Sequence, residues 1–289
     1  MTLPFTKMQG TGNDFVLLDG LSNNLEGLHL EEMSKKLLDR RFGIGADQLL
    51  LLLPSGKADF RMRIFNADGS EVEMCGNGIR CLAKYIWTKG LSPKEVLQIE
   101  TQAGIIKPAK DENGLIRVDM GRPRLGPADV PVDLRNMEPQ DAMSATLSGK
   151  VEDYPLKVDD REFKITCVSM GNPHAVIFVD YVEDFPVRHY GPIIETHPLF
   201  PERTNVEFVQ IINREEIKMR VWERGSGETL ACGTGASASA VAASLKGLTE
   251  RRVKVRLLGG ELIIDWKENG NLYMTGPAEE VFTGEIDIP

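Results

Sequence analysis

Cysteine and histidine are scarce in this sequence, with four of each among 289 residues. The cysteines, at positions 75, 81, 167 and 232, show no C-x-x-C spacing. A structural zinc site needs closely spaced Cys and His ligands, so we expect no metal. The opening MTLPFTKMQG lacks a basic segment followed by an apolar stretch. We therefore expect no secretory signal and take the thiols as reduced, which disfavours a disulfide framework.

Long apolar runs and an excess of positive charge are also lacking. The longest aliphatic run, LLLLL from Leu49, is far below the roughly 20 residues that span a bilayer. The net charge of −9 disfavours binding to nucleic acid or to an anionic membrane. With 42% hydrophobic and 27% charged residues, the composition is that of a globular protein. We expect a cytoplasmic protein without a nucleic-acid or membrane partner.

An internal repeat organises the chain. The segment FRMRIFNADGSEVEMCGNG (60–78) aligns without a gap with IKMRVWERGSGETLACGTG (217–235), at an offset of 232 − 75 = 157 residues. A weaker similarity relates GTGNDFVLLD near the start to SMGNPHAVIFVD from Ser169, and aligns Asn13 with Asn172. A period this long indicates two homologous halves rather than a solenoid. We expect residues 1–122, completed by 278–289, to form one domain, and residues 123–277 the other.

Most of the chain has strand patterns, which predict an α+β fold. Apolar or alternating β-type segments occur near 14–19, 60–66, 97–101, 114–120, 163–168, 175–180, 205–212, 217–222, 252–257 and 261–266. Turns such as NADGS and DENG favour antiparallel hairpins. Helices are expected only at 30–40 and after Cys75 and Cys232. The segment 236–244 is almost entirely Ala, Ser and Val, which indicates a central helix surrounded by strands.

The two repeated cysteines suggest chemistry. If Cys75 and Cys232 each precede a helix, unsatisfied N–H groups at the positive helix end should stabilise a thiolate and lower its pKa. The glycines that follow let backbone amides approach a carboxylate closely. Two such sites on one α-carbon would allow one cysteine to remove a proton and the other to replace it from the opposite face. The residues alone therefore predict an epimerase or racemase of a carboxylate with an α-proton.

Each candidate residue also has a simpler, structural interpretation. A buried cysteine is usually a small hydrophobic residue, and we assign Cys81 and Cys167 to the core. The duplication of Cys-Gly-x-Gly makes chemistry the better interpretation for Cys75 and Cys232. His174 could tune a thiol or be structural, and Glu223 with Arg224 could be a solvated pair or a clamp for a zwitterion. The remaining polar candidates lie at expected strand ends or turns, where asparagine is common: Asn13, Asn66, Asn172 and Asn205.

Several motifs together resemble the diaminopimelate epimerase family over nearly the whole chain. They are KMQGTGNDFVLLD, RRFGIGADQLL, FNADGSEVEMCGNGIRC, SMGNPHAV, RTNVEFVQ and VWERGSGETLACGTGASASA. The resemblance implies two pseudo-symmetric halves, each a barrel-like, mainly antiparallel sheet around a central helix. It implies cofactor-independent interconversion of LL- and meso-diaminopimelate, for lysine and peptidoglycan precursor synthesis, by a homodimer.

The resemblance also implies roles for individual residues. Cys75 and Cys232 match the two catalytic thiols, and His174 and Glu223 match groups that assist them. The amides of Gly76, Asn77, Gly233 and Thr234 match the sites for the α-carboxylate. Residues matching groups that bind the rest of the substrate are Asn13, Gln48, Asn66, Asn172, Asn205, Glu223 and Arg224.

Three alternatives remain. A proline or hydroxyproline racemase shares the two-cysteine logic, but we would expect histidine where this chain has Asn77. A thiol–disulfide switch would use Cys75 and Cys232 for redox chemistry. A non-catalytic binding protein of the same fold would be expected to have lost one of the two cysteines, and both are present.

Overall fold

The computed structural model describes residues 2–111 and 113–287, and it has the α+β architecture expected from the sequence. The chain divides into two compact units. Unit 1 comprises Met1–Asp119 together with Thr275–Pro289, and unit 2 comprises Met120–Met274. The sequence placed these boundaries after residues 122 and 277. Residues 288 and 289, at the end of the expected first domain, lie outside the described residues.

Unit 1 contains a sheet of eight strands and two helices. Its strands have the order β19-β1-β2-β3-β4-β6-β7, and β5 pairs with β4. The element bounds are β1 Thr2–Gly10, β2 Asn13–Asp19, α1 Leu30–Leu38, β3 Gln48–Leu53, β4 Phe60–Asn66, β5 Glu71–Val72, α2 Gly76–Thr88, β6 Ile99–Thr101, β7 Gly104–Ile106 and β19 Glu279–Asp287. Strands β8, Pro108–Lys110, and β9, Ile116–Asp119, pair as an antiparallel hairpin.

Unit 2 repeats this arrangement with three helices and a short 3₁₀ turn. Its strands have the order β10-β11-β12-β13-β14-β16-β17-β18, and β15 pairs with β14. The bounds are the 3₁₀ turn Leu134–Asn136, α3 Pro139–Ser148, β10 Tyr154–Val158, β11 Arg161–Ser169, β12 Pro173–Phe178, α4 Val187–Glu195, β13 Asn205–Asn213, β14 Glu216–Glu223, β15 Gly227–Thr229, α5 Gly233–Leu245, β16 Arg252–Leu257, β17 Gly260–Trp266 and β18 Leu272–Gly276.

The two units share one topology, which explains the sequence repeat. In unit 1, β2 and β3 are parallel and α1 lies between them along the chain. Strands β4 and β6 are also parallel, and α2 lies between them along the chain. In unit 2, α4 lies in the same way between the parallel strands β12 and β13, and α5 between the parallel strands β14 and β16. The other pairings described within these sheets are antiparallel. Among the described residues, no pairing closes either strand order into a barrel.

The helices α2 and α5 are the central helices predicted after the two cysteines. Helix α5 contacts β11, β12, β13, β14, β16 and β17 of its own unit, and it is buried from Ala236 to Ala243. Its small side chains permit this close enclosure by strands. Helix α2 contacts β1, β2, β3, β4 and β19 and is buried from Gly76 to Ala83.

Several elements were not predicted. Helix α3 begins with Pro139 and ends at Gly149, whose φ of 70° forms a left-handed C-cap, and both signals are typical of a helix. Helix α4 contains Gly191 and Pro192, two residues of low helix propensity that do not favour a helix there. Strands β1, β3, β10 and β18 and the short strands β5, β7, β8 and β15 were also missed. No helix in residues 2–111 or 113–287 is long and apolar enough to cross a membrane.

Candidate active site

The first Cys-Gly-x-Gly segment, residues 75–78, is the first cysteine box and lies between the β4–β5 hairpin and helix α2. Cys75 is the N-cap residue, with extended backbone angles (φ −136°, ψ 120°), and its Sγ accepts a hydrogen bond from the amide of Gly78 at 3.4 Å. The first amides of a helix have no partner within the helix. Gly76 and Asn77 therefore present N–H groups beside the sulfur of Cys75, which is partly exposed.

The second box reproduces this geometry. Cys232 caps α5 (φ −124°, ψ 111°), and its Sγ accepts from the amide of Gly235 at 3.4 Å. A Cβ atom on Gly235 would lie 2.7 Å from Oε1 of Glu207, so only glycine fits there without a shift. Cys232 itself is buried. The two cysteines therefore have the same capping role, and each is followed by two helix-starting amides.

Each box is braced by an arginine–glutamate pair across its hairpin. Nε of Arg63 lies 2.7 Å from Oε1 of Glu71 in unit 1. Nε of Arg220 lies 2.8 Å from Oε1 of Glu228 in unit 2. These pairs were not predicted from the sequence, although both residues are identical in the two copies of the repeat. The identity was a signal that could have found them.

Asn13 links the first cysteine to a polar cluster. Its Oδ1 lies 3.7 Å from Sγ of Cys75 and accepts from Nδ2 of Asn77 at 3.4 Å. Its own Nδ2 donates to Oδ2 of Asp47 at 2.9 Å. Nearby in sequence and on adjacent strands, Nε2 of Gln48 donates to Oδ1 of Asn66 at 2.8 Å.

Asp14, the next residue along β2, anchors this region electrostatically. Its carboxylate lies 2.7 Å from Nζ of Lys7 and 2.7 Å from Nη2 of Arg40. Burial opposes ionisation of Asp14, but the hydrogen bonds from Arg40 and Lys7 outweigh it and lower the pKa to about 2. Arg40 also binds Asp47, the partner of Asn13, at 2.7 Å. The charged cluster thus fixes the strand that carries Asn13.

A chain of polar contacts leads to the second cysteine. Nδ1 of His174 lies 2.7 Å from Oε1 of Glu207, and Nε2 of His174 lies 3.0 Å from Oδ1 of Asn172. Nδ2 of Asn172 donates to Oγ1 of Thr234 at 3.2 Å, and that hydroxyl lies 3.4 Å from Sγ of Cys232. His174 therefore reaches the thiol through two intermediate side chains. Glu207 was not predicted from the sequence.

The environment of Cys232 differs from the expectation for a helix start. Burial raises the pKa of the Cys232 thiol well above its ordinary value, and the carboxylates of Glu223 and Glu207 raise it further. The expected lowering by helix amides is therefore wrong for this cysteine. Burial also raises the pKa of Glu223, whose Oε1 accepts a hydrogen bond from Oγ1 of Thr229.

Asn205 and Arg224 meet through the backbone. Oδ1 of Asn205 accepts from the amide of Arg224 at 2.9 Å, and Nδ2 of Asn205 donates to the carbonyl of Pro173 at 2.8 Å. The guanidinium of Arg224 is exposed and donates to the carbonyl of Glu202 at 3.1 Å. Asn205 thus holds the turn after β14 in place and leaves the Arg224 side chain at the surface of unit 2.

Unsatisfied polar atoms concentrate beside these residues. Within residues 2–111 and 113–287, four buried side-chain atoms lack a hydrogen-bond partner: Gln48 Oε1, Asn77 Oδ1, Glu207 Oε2 and Thr249 Oγ1. Such atoms are uncommon in folded proteins, and a bound ligand is one way to satisfy them. The described part of the chain contains no group of three or more His, Cys, Asp or Glu side chains arranged to hold a metal ion.

The fold is shared with several solved structures. A phenazine biosynthesis protein of the PhzF family from Bacillus anthracis aligns over 100% of both chains with a TM-score of 0.70 and 20% identity. A probable proline racemase from Agrobacterium radiobacter aligns over 99% of this chain and 93% of its own, with a TM-score of 0.69 and 15% identity. The chain therefore shares its overall fold with these proteins.

Sequence similarity identifies the family among proteins with this fold. The sequence model of the diaminopimelate epimerase family matches residues 5–126 and 166–281. Diaminopimelate epimerase of Carboxydothermus hydrogenoformans is 54% identical over 98% of this chain and 99% of its own. That of Acetivibrio thermocellus is 51% identical over 98% of both chains. The chain belongs to the diaminopimelate epimerase family and is an isomerase.

Proposed function

We propose that this protein interconverts LL- and meso-2,6-diaminopimelate by a two-base mechanism without a cofactor. Family membership supports the substrate. The observation that carries the mechanism is the duplicated cap, in which Cys75 and Cys232 each accept a hydrogen bond from the third residue of a central helix. A single base would have to change faces to invert a stereocentre, whereas two thiols need not move.

The chemistry divides between sulfur atoms and backbone amides. One cysteine, as a thiolate, removes the α-proton, and the other, as a thiol, donates a proton to the opposite face. The α-proton of an amino acid is a very weak acid, so the charge that develops on the carboxylate must be stabilised. The amides of Gly76, Asn77, Gly233 and Thr234 are the proposed donors, each worth about 3–4 kcal/mol if well placed.

Other polar residues are proposed to recognise the rest of the substrate. They are Asn13, Gln48, Asn66, Asn172, Asn205, Glu223 and Arg224. His174 and Glu223 are proposed to assist the thiols, and the contacts from His174 through Asn172 and Thr234 to Cys232 give His174 a route to do so. Synthesis of lysine and peptidoglycan precursors, a homodimeric assembly and a cytoplasmic location stay predictions.

Proton exchange with solvent tests the proposal directly. The reduced protein is incubated with LL-diaminopimelate in D2O, without pyridoxal phosphate, and followed by proton NMR. We expect loss of the α-proton signal together with formation of the meso isomer. A folded, reduced protein that exchanges no α-proton would contradict the proposed substrate, and proline and hydroxyproline would then be tried first.

A thiol–disulfide switch is the alternative from another class. None of the four cysteines, all within the described part of the chain, forms a disulfide in the structure. Under the epimerase proposal, an oxidant should abolish exchange and a reductant should restore it. Full activity of a Cys75–Cys232 disulfide form would contradict the two-base mechanism.

A further inference from the structure

Arg80, on helix α2, is buried with 0% of its surface exposed. Nη1 of Arg80 donates to the carbonyl of Gly76 at 3.3 Å, and Nη2 donates to Oγ1 of Thr11 at 3.0 Å. Its Nε donates to the carbonyl of Pro277 at 3.1 Å. A buried cation is costly, so its retention beside the first cysteine box needs a reason.

The equivalent position in unit 2 shows what Arg80 contributes beyond its hydrogen bond to Gly76. The repeat offset, 237 − 80 = 157, aligns Arg80 with Ser237. Oγ of Ser237 donates to the carbonyl of Gly233 at 2.9 Å, which is the counterpart of the bond from Arg80 to Gly76. A neutral hydroxyl therefore satisfies this carbonyl, and Arg80 adds a positive charge together with its bonds to Thr11 and Pro277.

A second position reverses the charge around the other cysteine. The offset 207 − 50 = 157 aligns Leu50 with Glu207. A Cβ on Gly78 would meet Leu50 Cδ2 at 3.1 Å, whereas a Cβ on Gly235 would meet Glu207 Oε1 at 2.7 Å. The place beside the helix start is thus apolar in unit 1 and carries a carboxyl in unit 2.

We propose that Arg80 is a positioning residue that makes Cys75, rather than Cys232, the thiolate of the resting protein. This inference rests on the proposed two-thiol function. In the forward step, the Cys75 thiolate takes the α-proton and becomes a thiol. The Cys232 thiol gives its proton to the opposite face and becomes the thiolate. The return to rest moves one proton from Cys75 to Cys232 through solvent.

Arg80 also fixes the turn that leads to Asn13. Thr11 lies in that turn with a φ of 55°, which is unusual for a β-branched residue. The bond from Arg80 holds the Thr11 hydroxyl, and Asn13, two residues on, contacts Sγ of Cys75. One guanidinium therefore ties the start of α2 to the β1–β2 turn.

The other ionisable groups are consistent with this assignment. Burial lowers the pKa of Arg80 only to about 10, so the guanidinium stays charged at neutral pH. Burial raises the pKa of Cys81, the next residue, so that thiol stays neutral. On the strands packed against α2, the charges near Asn13 belong to the mutually paired Lys7, Asp14, Arg40 and Asp47. Around Cys232 the ionisable groups are Glu223 of β14, Glu207 of β13 and His174 of β12.

Alkylation with iodoacetamide, quantified for each cysteine by peptide mass spectrometry from pH 5 to 10, tests the inference. Only the thiolate reacts, so the pH midpoint of labelling follows ionisation independently of exposure. We expect a lower midpoint for Cys75 than for Cys232 in the unsubstituted protein. In Arg80→Met the Cys75 midpoint should rise by about one pH unit or more, and Arg80→Lys should restore most of the shift.

Ser237→Ala is the matched control, because it removes the equivalent bond without changing charge, and it should leave the Cys75 midpoint unchanged. An unchanged Cys75 midpoint in folded Arg80→Met would overturn the inference. If Arg80→Met does not fold, the labelling midpoints of the unsubstituted protein test the inference. A lower midpoint for Cys232 than for Cys75 would then overturn the inference. Labelling needs no substrate, so failure of diaminopimelate exchange would count against the proposed function alone.

Discussion

Oε1 of Glu207 lies 2.7 Å from Nδ1 of His174, and both side chains are completely buried. The pair connects two parallel strands, because His174 lies on β12 and Glu207 lies on the neighbouring strand β13. It also starts the chain of contacts that ends at Cys232. The His174–Glu207 pair should therefore affect both the stability of the protein and the reactivity of the Cys232 thiol.

Loss of the Glu207 carboxyl should cost much of the stability of the protein. Glu207→Ala leaves a buried ring nitrogen of His174 without its hydrogen-bond partner, and we expect the free energy of unfolding to fall by about 1–3 kcal/mol. Glu183→Ala, which removes a more exposed pair with Lys218, should cost about 1 kcal/mol or less. Urea unfolding of both variants measures the difference. Equal costs would show that the buried pair contributes no more than a surface pair.

Each of the two thiols proposed to be catalytic should be indispensable for epimerisation. Cys75→Ala and Cys232→Ala should each lower kcat/KM by about 10³-fold, since each removes one proton-transfer group. Cys167→Ala deletes a thiol from the core, where burial raises its pKa to about 12, and should keep activity near that of the unsubstituted protein. A coupled assay of meso-diaminopimelate formation gives the values. An activity loss for Cys167→Ala as large as for the other two would argue against specific roles.

Asp14 should make stability depend on pH in the acid range. Its pKa is lowered in the folded protein, so its contribution is present above the unfolded value near 3.9 and is lost as the pH falls towards 2. Because the group is partly exposed, we expect about 1–2 kcal/mol. Unfolding of Asp14→Asn at pH 7 and pH 2.5 should show a stability deficit that shrinks in acid. A deficit for Asp14→Asn that is the same at both pH values would contradict the assignment.

Gly191 should not tolerate a methyl group. A Cβ at this position of α4 would lie 2.5 Å from Cγ of Trp222, whose Nε1 donates to Oε2 of Glu195 at 2.7 Å. We expect Gly191→Ala to lower the free energy of unfolding by about 1–3 kcal/mol through overpacking. Gly56→Ala is the control, because a Cβ there meets no atom within 4 Å. Thermal unfolding compares the two, and equal midpoints would show that Trp222 moves aside freely.

Local signals in the sequence were sufficient for the cysteine boxes and for most strands. The Cys-Gly-x-Gly spacing and its repeat specify both capped helices, because a cap and its amides are set by adjacent residues. Glu207 was missed because its meaning depends on a partner 33 residues away, brought close by parallel pairing of β12 and β13. Helix α4 was missed because tertiary packing on Trp222 outweighs the poor propensity of Gly191 and Pro192. Arg80 was missed because burial of a charged side chain cannot be inferred from neighbouring residues.

Strand β19 has a consequence for how the protein is made. It pairs with β1 from Thr2 to Gln9, so the sheet of unit 1 lacks an edge strand until Glu279–Asp287 has been synthesised. Unit 2, which ends at Met274, is complete earlier in synthesis, although it begins 120 residues into the chain. On the ribosome, the half encoded first therefore finishes folding last, after its C-terminal strand has left the exit tunnel.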